Sequence, residues 1–276
     1  MIRSVATAIL AFAVAFAPKA ALAAESESKT SDSPPYDSVA ILPFSEETIF
    51  QKYFRDMYAP FVNPLTLSIF AGGTISTLAL VATGPNFEDH VLEEASSDKP
   101  LGRSSQFGDL MGQMVPNIAY TAWFAGKYFF TKDPLSEFRA EMMFRATLAA
   151  TSMSTLLKVT VREPRPGNPG ELTSFPSGHS TSIFSFATIV AAMHGPYWGA
   201  GAYALASFVA YSRMNDDRHR LHDVVAGATL GSIYGLAIYQ RMRDAAVPSL
   251  KTAKFQYEVM PVVTSDGAML GLSANF

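Results

Sequence analysis

The feature that most limits how this chain can fold is a succession of long apolar stretches separated by turn residues. They run over Pro64–Thr83, Phe107–Phe130, Leu135–Val161, Ser180–Met193, Tyr197–Ser212 and His222–Arg243. Gly84-Pro85-Asn86, Lys132-Asp133-Pro134 and His194-Gly195-Pro196 supply breaks of the kind that end helices. A shorter amphipathic helix is expected over Ser45–Tyr58, with Ser45 as its cap and Ile49, Phe50, Tyr53, Phe54 and Met57 on one side. Strand signals are nearly absent until the end, where Phe255–Thr264 and Ala268–Phe276 flank Ser265-Asp266-Gly267 and read as a hairpin. The expected fold is all-α, a helical bundle of about six main helices with a small C-terminal β-hairpin.

The N-terminus is organised differently. Met1 to Ala23 carries one early charge, Arg3, then an apolar run from Val5 to Ala17 and the small-residue triplet Ala21-Leu22-Ala23. That is the layout of a secretory signal, and the run falls short of the roughly 20 residues a bilayer span needs. Residues 24–36 are polar and lack apolar anchors, so they read as a disordered linker. The helical domain then covers residues 37–250, and residues 251–276 form the tail.

Composition narrows the chemistry. The chain is 49% hydrophobic and 16% charged, with a net charge of −3, which gives no electrostatic reason to expect nucleic acid. It has no cysteine, which excludes a disulfide framework, a thiolate nucleophile and a Cys-ligated metal.

Against that background, the residues from Lys158 to Asp223 stand apart. Lys158 and Arg162 share a helical face, and Pro164 and Pro166 stop that helix around Arg165. Pro176-Ser177-Gly178-His179 then opens an apolar helix, offering free amides, a hydroxyl and the positive end of the helix dipole. Further on, His219 and Asp223 are four apart, a spacing that lets a carboxylate fix one imidazole nitrogen and leave the other as base or nucleophile. Arg213 adds a bidentate donor suited to tetrahedral oxyanions. Three cationic anchors, a helix start and two histidines describe a phosphoryl-transfer site. No carboxylate cluster is evident to hold magnesium, so fixed donors are expected to do the work, with no metal and no cofactor.

These residues are similar to the three-part signature of the type-2 phosphatidic acid phosphatase superfamily, which includes lipid phosphatases, bacterial class A acid phosphatases and vanadium haloperoxidases. The matching pattern is Lys158-x6-Arg165-Pro166, then Pro176-Ser177-Gly178-His179, then Ser212-Arg213-x5-His219-x3-Asp223, about a quarter of the chain. The resemblance implies that His219 attacks phosphorus, that Asp223 orients it, and that His179 protonates the leaving oxygen and then helps activate water. It implies that Lys158, Arg165, Ser177, Gly178 and Arg213 hold the phosphoryl oxygens, a site that vanadate or phosphate can also occupy. Two departures stand out: the link between Pro166 and Pro176 is short, and His222 sits where many members carry a small residue.

Taken singly, each piece has a plain explanation: a basic helix end, a turn with its cap, a solvated His–Asp pair. Their joint spacing is what argues for a site. Arg162, Arg218 and Arg220 are divided between substrate rim and solvated surface, and His90 and His194 fall outside the pattern. Gly227, Gly231 and Gly235 form one smooth helical face, expected to seat the catalytic turn against a neighbouring helix.

The three clusters all fall at one end of an up-and-down bundle. A secretory signal followed by helices that all span would put that end in the cytoplasm. The favoured location is therefore periplasmic with membrane association, and an integral inner-membrane protein is the alternative. The expected activity is hydrolysis of phosphate monoesters through a phosphohistidine, with lipid-linked phosphates or diphosphates favoured over small soluble esters. The competing readings are a vanadate-dependent haloperoxidase and a non-catalytic envelope protein.

Overall fold

The computed structural model describes residues 48–83 and 85–246, together with the backbone of residues 256–264 and 267–275. The expected signal over residues 1–23 and the linker over residues 24–36 lie outside the described residues. Among those residues there are nine α-helices: α1 Ile49–Val62, α2 Pro64–Ala82, α3 Pro85–Ser96, α4 Ser104–Gly112, α5 Val115–Thr131, α6 Pro134–Val161, α7 Gly178–His194, α8 Pro196–Asn215 and α9 Leu221–Ala246. The backbone of Gln256–Thr264 (β1) and Gly267–Asn275 (β2) is extended and paired antiparallel, Thr264 opposite Gly267.

Three differences from the sequence reading have local causes. The first helix is capped by Thr48, whose side chain accepts from the Gln51 amide while Gln51 reaches back to the Thr48 amide, so the cap is not Ser45. The single helix expected over Phe107–Phe130 is two, α4 and α5. Pro116 has no amide to give the Gly112 carbonyl, which accepts from Ser182 Oγ at 2.7 Å instead, and Met114 takes a left-handed conformation at φ 66°. An additional helix, α3, begins at Pro85, inside the expected break, and carries Glu88 in its first turn.

Helix α7 is the axis of the bundle, packed by α9, α8 and α6. Its turns beyond His179 are almost wholly buried, with Ile183, Phe184 and Ile189 in one core with Phe138, Met142, Ile233 and Tyr234. Gly227, Gly231 and Gly235 let α9 lie directly on α7: a Cβ at these positions would collide with the Ser177 carbonyl, the Thr181 carbonyl and Thr188. The smooth glycine face therefore seats α9 against the start of α7, where the Ser177 amide donates to the Asp223 carbonyl at 2.9 Å. A buried ion cluster ties α1 to the bundle: Arg145 grips Asp56 through Nε and Nη2 at 2.7 and 2.8 Å, and Arg241 adds a contact at 2.9 Å.

The outer surface is unusually apolar. Helices α2 and α9 are both long and apolar enough to cross a bilayer, but α9 is core. Helix α2 exposes Leu65, Leu67, Ile75, Leu78 and Val81, and α5 exposes Ile118, Trp123, Phe129 and Phe130.

Candidate functional site

The ends of α6 and α8 and the starts of α7 and α9 meet at one end of the bundle, so all eight expected site residues come together. Lys158 is in the last turn of α6, and Arg165 is in the loop that follows. Ser177 caps α7, accepting from the Ser180 amide at 3.4 Å, and Gly178 and His179 form its first turn. Their amides precede the first intrahelical bond of α7, which leaves two donors at the positive end of the helix. Arg213 closes α8, and Asp223 is in the first turn of α9.

His219 is 1% exposed, and its Nδ1 lies 3.6 Å from Asp223 Oδ2. Between them sits Ser174, whose hydroxyl donates to Asp223 Oδ2 at 2.7 Å and lies 3.4 Å from His219 Nδ1. Asp223 Oδ2 also accepts from the Arg220 amide at 2.9 Å. With acceptors on that side, Nδ1 carries the hydrogen and Nε2 keeps its lone pair. Burial pushes the His219 pKa down, the nearby Lys158 and Arg165 charges add to this, and Asp223 only partly opposes it. Burial alone would raise the Asp223 pKa, but the hydrogen bond with His219, the His222 charge and the Ser174 hydroxyl outweigh it and hold the carboxyl low. The result is a neutral imidazole beside an ionised carboxylate, the state a nucleophile requires.

The cations around it are already engaged. Lys158 Nζ donates to the carbonyls of Thr173, Ser174 and Pro176 at 2.6, 3.3 and 2.5 Å, folding the short loop onto α6. Burial, then the neighbouring Arg165 charge, lower its pKa to about 8. Arg165 pairs with Glu171 at 2.9 Å and reaches Thr173 Oγ1 at 3.3 Å. Arg213 is 3% exposed and is gripped by Asp216 at 3.0 Å and by Asp109. The same Asp109 Oδ1 accepts from His179 Nε2 at 3.1 Å. Burial and the Arg213 charge lower the His179 pKa to about 4, with Asp109 opposing.

His222 has a different setting. Its Nδ1 donates to Glu88 at 2.6 Å and its Nε2 to Glu163 at 2.9 Å, while the Phe175 ring lies 5.9 Å away. Both ring nitrogens donate, so the ring is an imidazolium. Burial alone would lower its pKa, but the hydrogen bonds it donates to Glu163 and Glu88 win and raise it to about 10. Three carboxylates therefore meet here, where the sequence suggested no acidic cluster. Ligand atoms of Glu163, His222 and Asp223 lie within 4.8 Å of one another, the reach of a metal site. The donor set fits a cation poorly, because both imidazole nitrogens face carboxylates and a metal would have to displace a tightly held proton. Asp223 Oδ1, without a hydrogen bond, is neutralised by His222 Nε2 at 3.5 Å.

Sequence reasoning missed Asp109, Ser174, Asp216, Glu88 and Glu163. Asp109 had a signal: between Ser104 and Thr131 it is the lone acid. Ser174 had none, since nothing local marks it as the bridge between Asp223 and His219. Of the undecided arginines, Arg162 is exposed, Arg218 reaches Glu171 at 4.0 Å, and Arg220 lies 3.7 Å from Glu163. His90 is exposed, and His194 bonds Tyr120 at 2.8 Å on α5, among the aromatic rings of Tyr120 and Phe124.

Residues 141–246 match the family model described as the PAP2 superfamily. A 65-residue segment is 37% identical to a Porphyromonas gingivalis protein named lipid A 1-phosphatase. That segment covers 22% of this chain and 15% of the relative's length, so the likeness is confined to a small part of that protein. No solved structure gives a significant match to the chain.

Proposed function

The chain carries a PAP2 superfamily domain over residues 141–246, and on that premise we propose that it is a lipid phosphatase working through a phosphohistidine on His219. The observation that carries the reading is the buried His219 with Nδ1 directed to Asp223 and Ser174, which leaves Nε2 as the attacking atom on a ring that feels the Lys158 and Arg165 charges.

In this mechanism the lone pair of Nε2 forms the N–P bond as the P–O bond to the leaving group breaks. His179, protonated as the phosphate dianion comes to rest beside it, gives that proton to the departing oxygen. Water then attacks the phosphohistidine, His179 takes a proton from that water, and inorganic phosphate leaves with His219 neutral again. Arg165, Arg213 and the amides of Gly178 and His179 provide fixed positive dipoles and charges for the phosphoryl oxygens, so stabilisation rests on the chain's own donors without a metal. Lys158 would have to give up a loop carbonyl to join them.

A lipid-linked phosphate is favoured over a soluble ester on two grounds. The relative's name is that of a phosphatase of a lipid, and the exposed apolar faces of α2 and α5 suit the edge of a bilayer. With residues 1–23 as a secretory signal, the site would work on the periplasmic side in a membrane-associated protein.

The test is acid quench during turnover of a 32P-labelled lipid monophosphate in detergent. Acid-labile label is expected on the wild-type protein and absent from His219→Gln, with activity falling on the order of 10⁴-fold or more. Label retained on His219→Gln would sink the mechanism. Hydrolysis of p-nitrophenyl phosphate without any lipid phosphate would remove the lipid reading. Halide oxidation on adding vanadate would replace the phosphatase reading with a haloperoxidase.

A further inference from the structure

We propose that Asp109 is a stand-in for the substrate: its carboxylate occupies the place of a phosphoryl oxygen between His179 and Arg213, and the incoming phosphate must displace it. The inference rests on the phosphatase reading and adds to it a residue that sets which anions can enter.

One oxygen carries the argument. Asp109 Oδ1 accepts from His179 Nε2 at 3.1 Å and from Arg213 Nη1 at once. In the reaction those two donors have different tasks on the same group: Arg213 holds a phosphoryl oxygen and His179 protonates the leaving oxygen. His179 cannot do its task while its N–H points at a carboxylate of the chain itself, and Arg213 has an Nη1 hydrogen committed to the same oxygen. Asp109 also brings negative charge to the spot where a phosphate must arrive, and like charges in a partly buried site repel by several-fold more than in water.

The local structure explains how Asp109 comes to be there and how it could leave. Helix α4 is clasped to the site by two glycines four residues apart. A Cβ at Gly108 would collide with Ser212 on α8, and one at Gly112 would collide with the His179 ring on α7. Those close approaches put Asp109 between α7 and α8. Its side chain is nonetheless 42% exposed, whereas that of Arg213 is only 4% exposed, so the carboxylate, not the guanidinium, is the partner free to move. Its other oxygen, Oδ2, accepts at 2.7 Å from Nε2 of Gln113, an exposed residue at the C-cap of α4. Rotation about the Asp109 side-chain bonds toward Gln113 and solvent would vacate the anion position without moving the helix.

Other cations of the site are balanced by the chain too, but differently. Asp216 holds the other arm of Arg213, and Glu171 holds Arg165, yet neither is bonded to His179. Asp109 alone among the described residues bridges the proposed acid and a proposed phosphate anchor.

The test uses the full chain in detergent and inorganic phosphate as the probe, with affinity read by titration calorimetry so that no turnover is needed. Asp109→Asn keeps the size and removes the charge; phosphate should bind it at least about tenfold more tightly than the wild type, a change of about 1.4 kcal/mol. Asp109→Glu restores a carboxylate and should bind no tighter than wild type. Equal or weaker binding by Asp109→Asn overturns the proposal, and so does equal tightening in both variants. If Asp109→Asn does not give a cooperative melt, Asp109→Ser is read by the same criteria. Phosphate binding to none of these forms would overturn the phosphatase reading along with this one. Lipid phosphate hydrolysis by a wild type whose Asp109→Asn variant binds phosphate no tighter would overturn this one alone.

Discussion

His179 and His222 are both held by carboxylates at the same end of the bundle, yet their surroundings drive them in opposite directions. His179 meets one carboxylate oxygen, shares it with Arg213, and has its pKa pushed down to about 4 by burial and that cation. His222 meets Glu88 on one nitrogen and Glu163 on the other, and its pKa is pushed up to about 10. The first arrangement leaves a ring that can exchange its partner. The second uses both nitrogens and ties α3, the loop after α6 and the start of α9 together. Histidine count in a site therefore says little; the ratio of cations to carboxylates around each ring separates the histidine proposed to react from the one proposed to be structural.

The largest effect should come from breaking the reacting side of this comparison. His179→Ala is expected to lower kcat by about 10²–10⁴-fold while leaving the thermal midpoint close to wild type. A large loss of stability with little loss of rate would reverse the two roles. His222→Ala should do the opposite. It leaves two buried or half-buried carboxylates without their cation, at a cost of about 3–5 kcal/mol, read by denaturant unfolding.

The same contrast has a pH signature. The folded pKa of His222 is raised above its ordinary value, so its contribution to stability is fully present below about 6.5 and is lost as pH rises toward about 10. Melting in the wild type should fall across that window, and His222→Ala should flatten the fall. No difference between the two curves would argue that His222 is not an imidazolium. The smallest expected effect belongs to Ser174, which bonds Asp223 beside His219 Nδ1. Ser174→Ala should lower kcat by about 10–100-fold, the range seen when a group that orients a reacting ligand is removed, with KM nearly unchanged.

How far the sequence could be read depended on the range of the signal. Apolar periodicity and Pro or Gly breaks gave α2, α6, α7, α8 and α9 within a few residues, because those signals are local. The α4–α5 break was misread because Pro116 lies in an apolar stretch that looks continuous, and the Gly112 carbonyl that Pro116 leaves without an amide is satisfied by Ser182 on another helix. The residues of the PAP2 signature were legible because their spacing is fixed along the chain. Their acidic partners were not, since Asp109 and Glu88 come from helices 70 and 134 residues away from the histidines they hold.

The sequence by itself determined that this is a helical chain whose basic and histidine clusters fall at the same end, and that His219 and Asp223 are one helical turn apart. Those follow from periodicity and from which helix ends carry the motifs. Only the tertiary structure decided how the surroundings shift His179, His219 and His222 and which carboxylate faces each cation. Those depend on carboxylates that α3 and α4 bring in from distant sequence, and on the burial that turns a shared oxygen or a pair of hydrogen bonds into a pKa. The physical reason is that electrostatics acts through space and desolvation, neither of which is written into spacing along the chain.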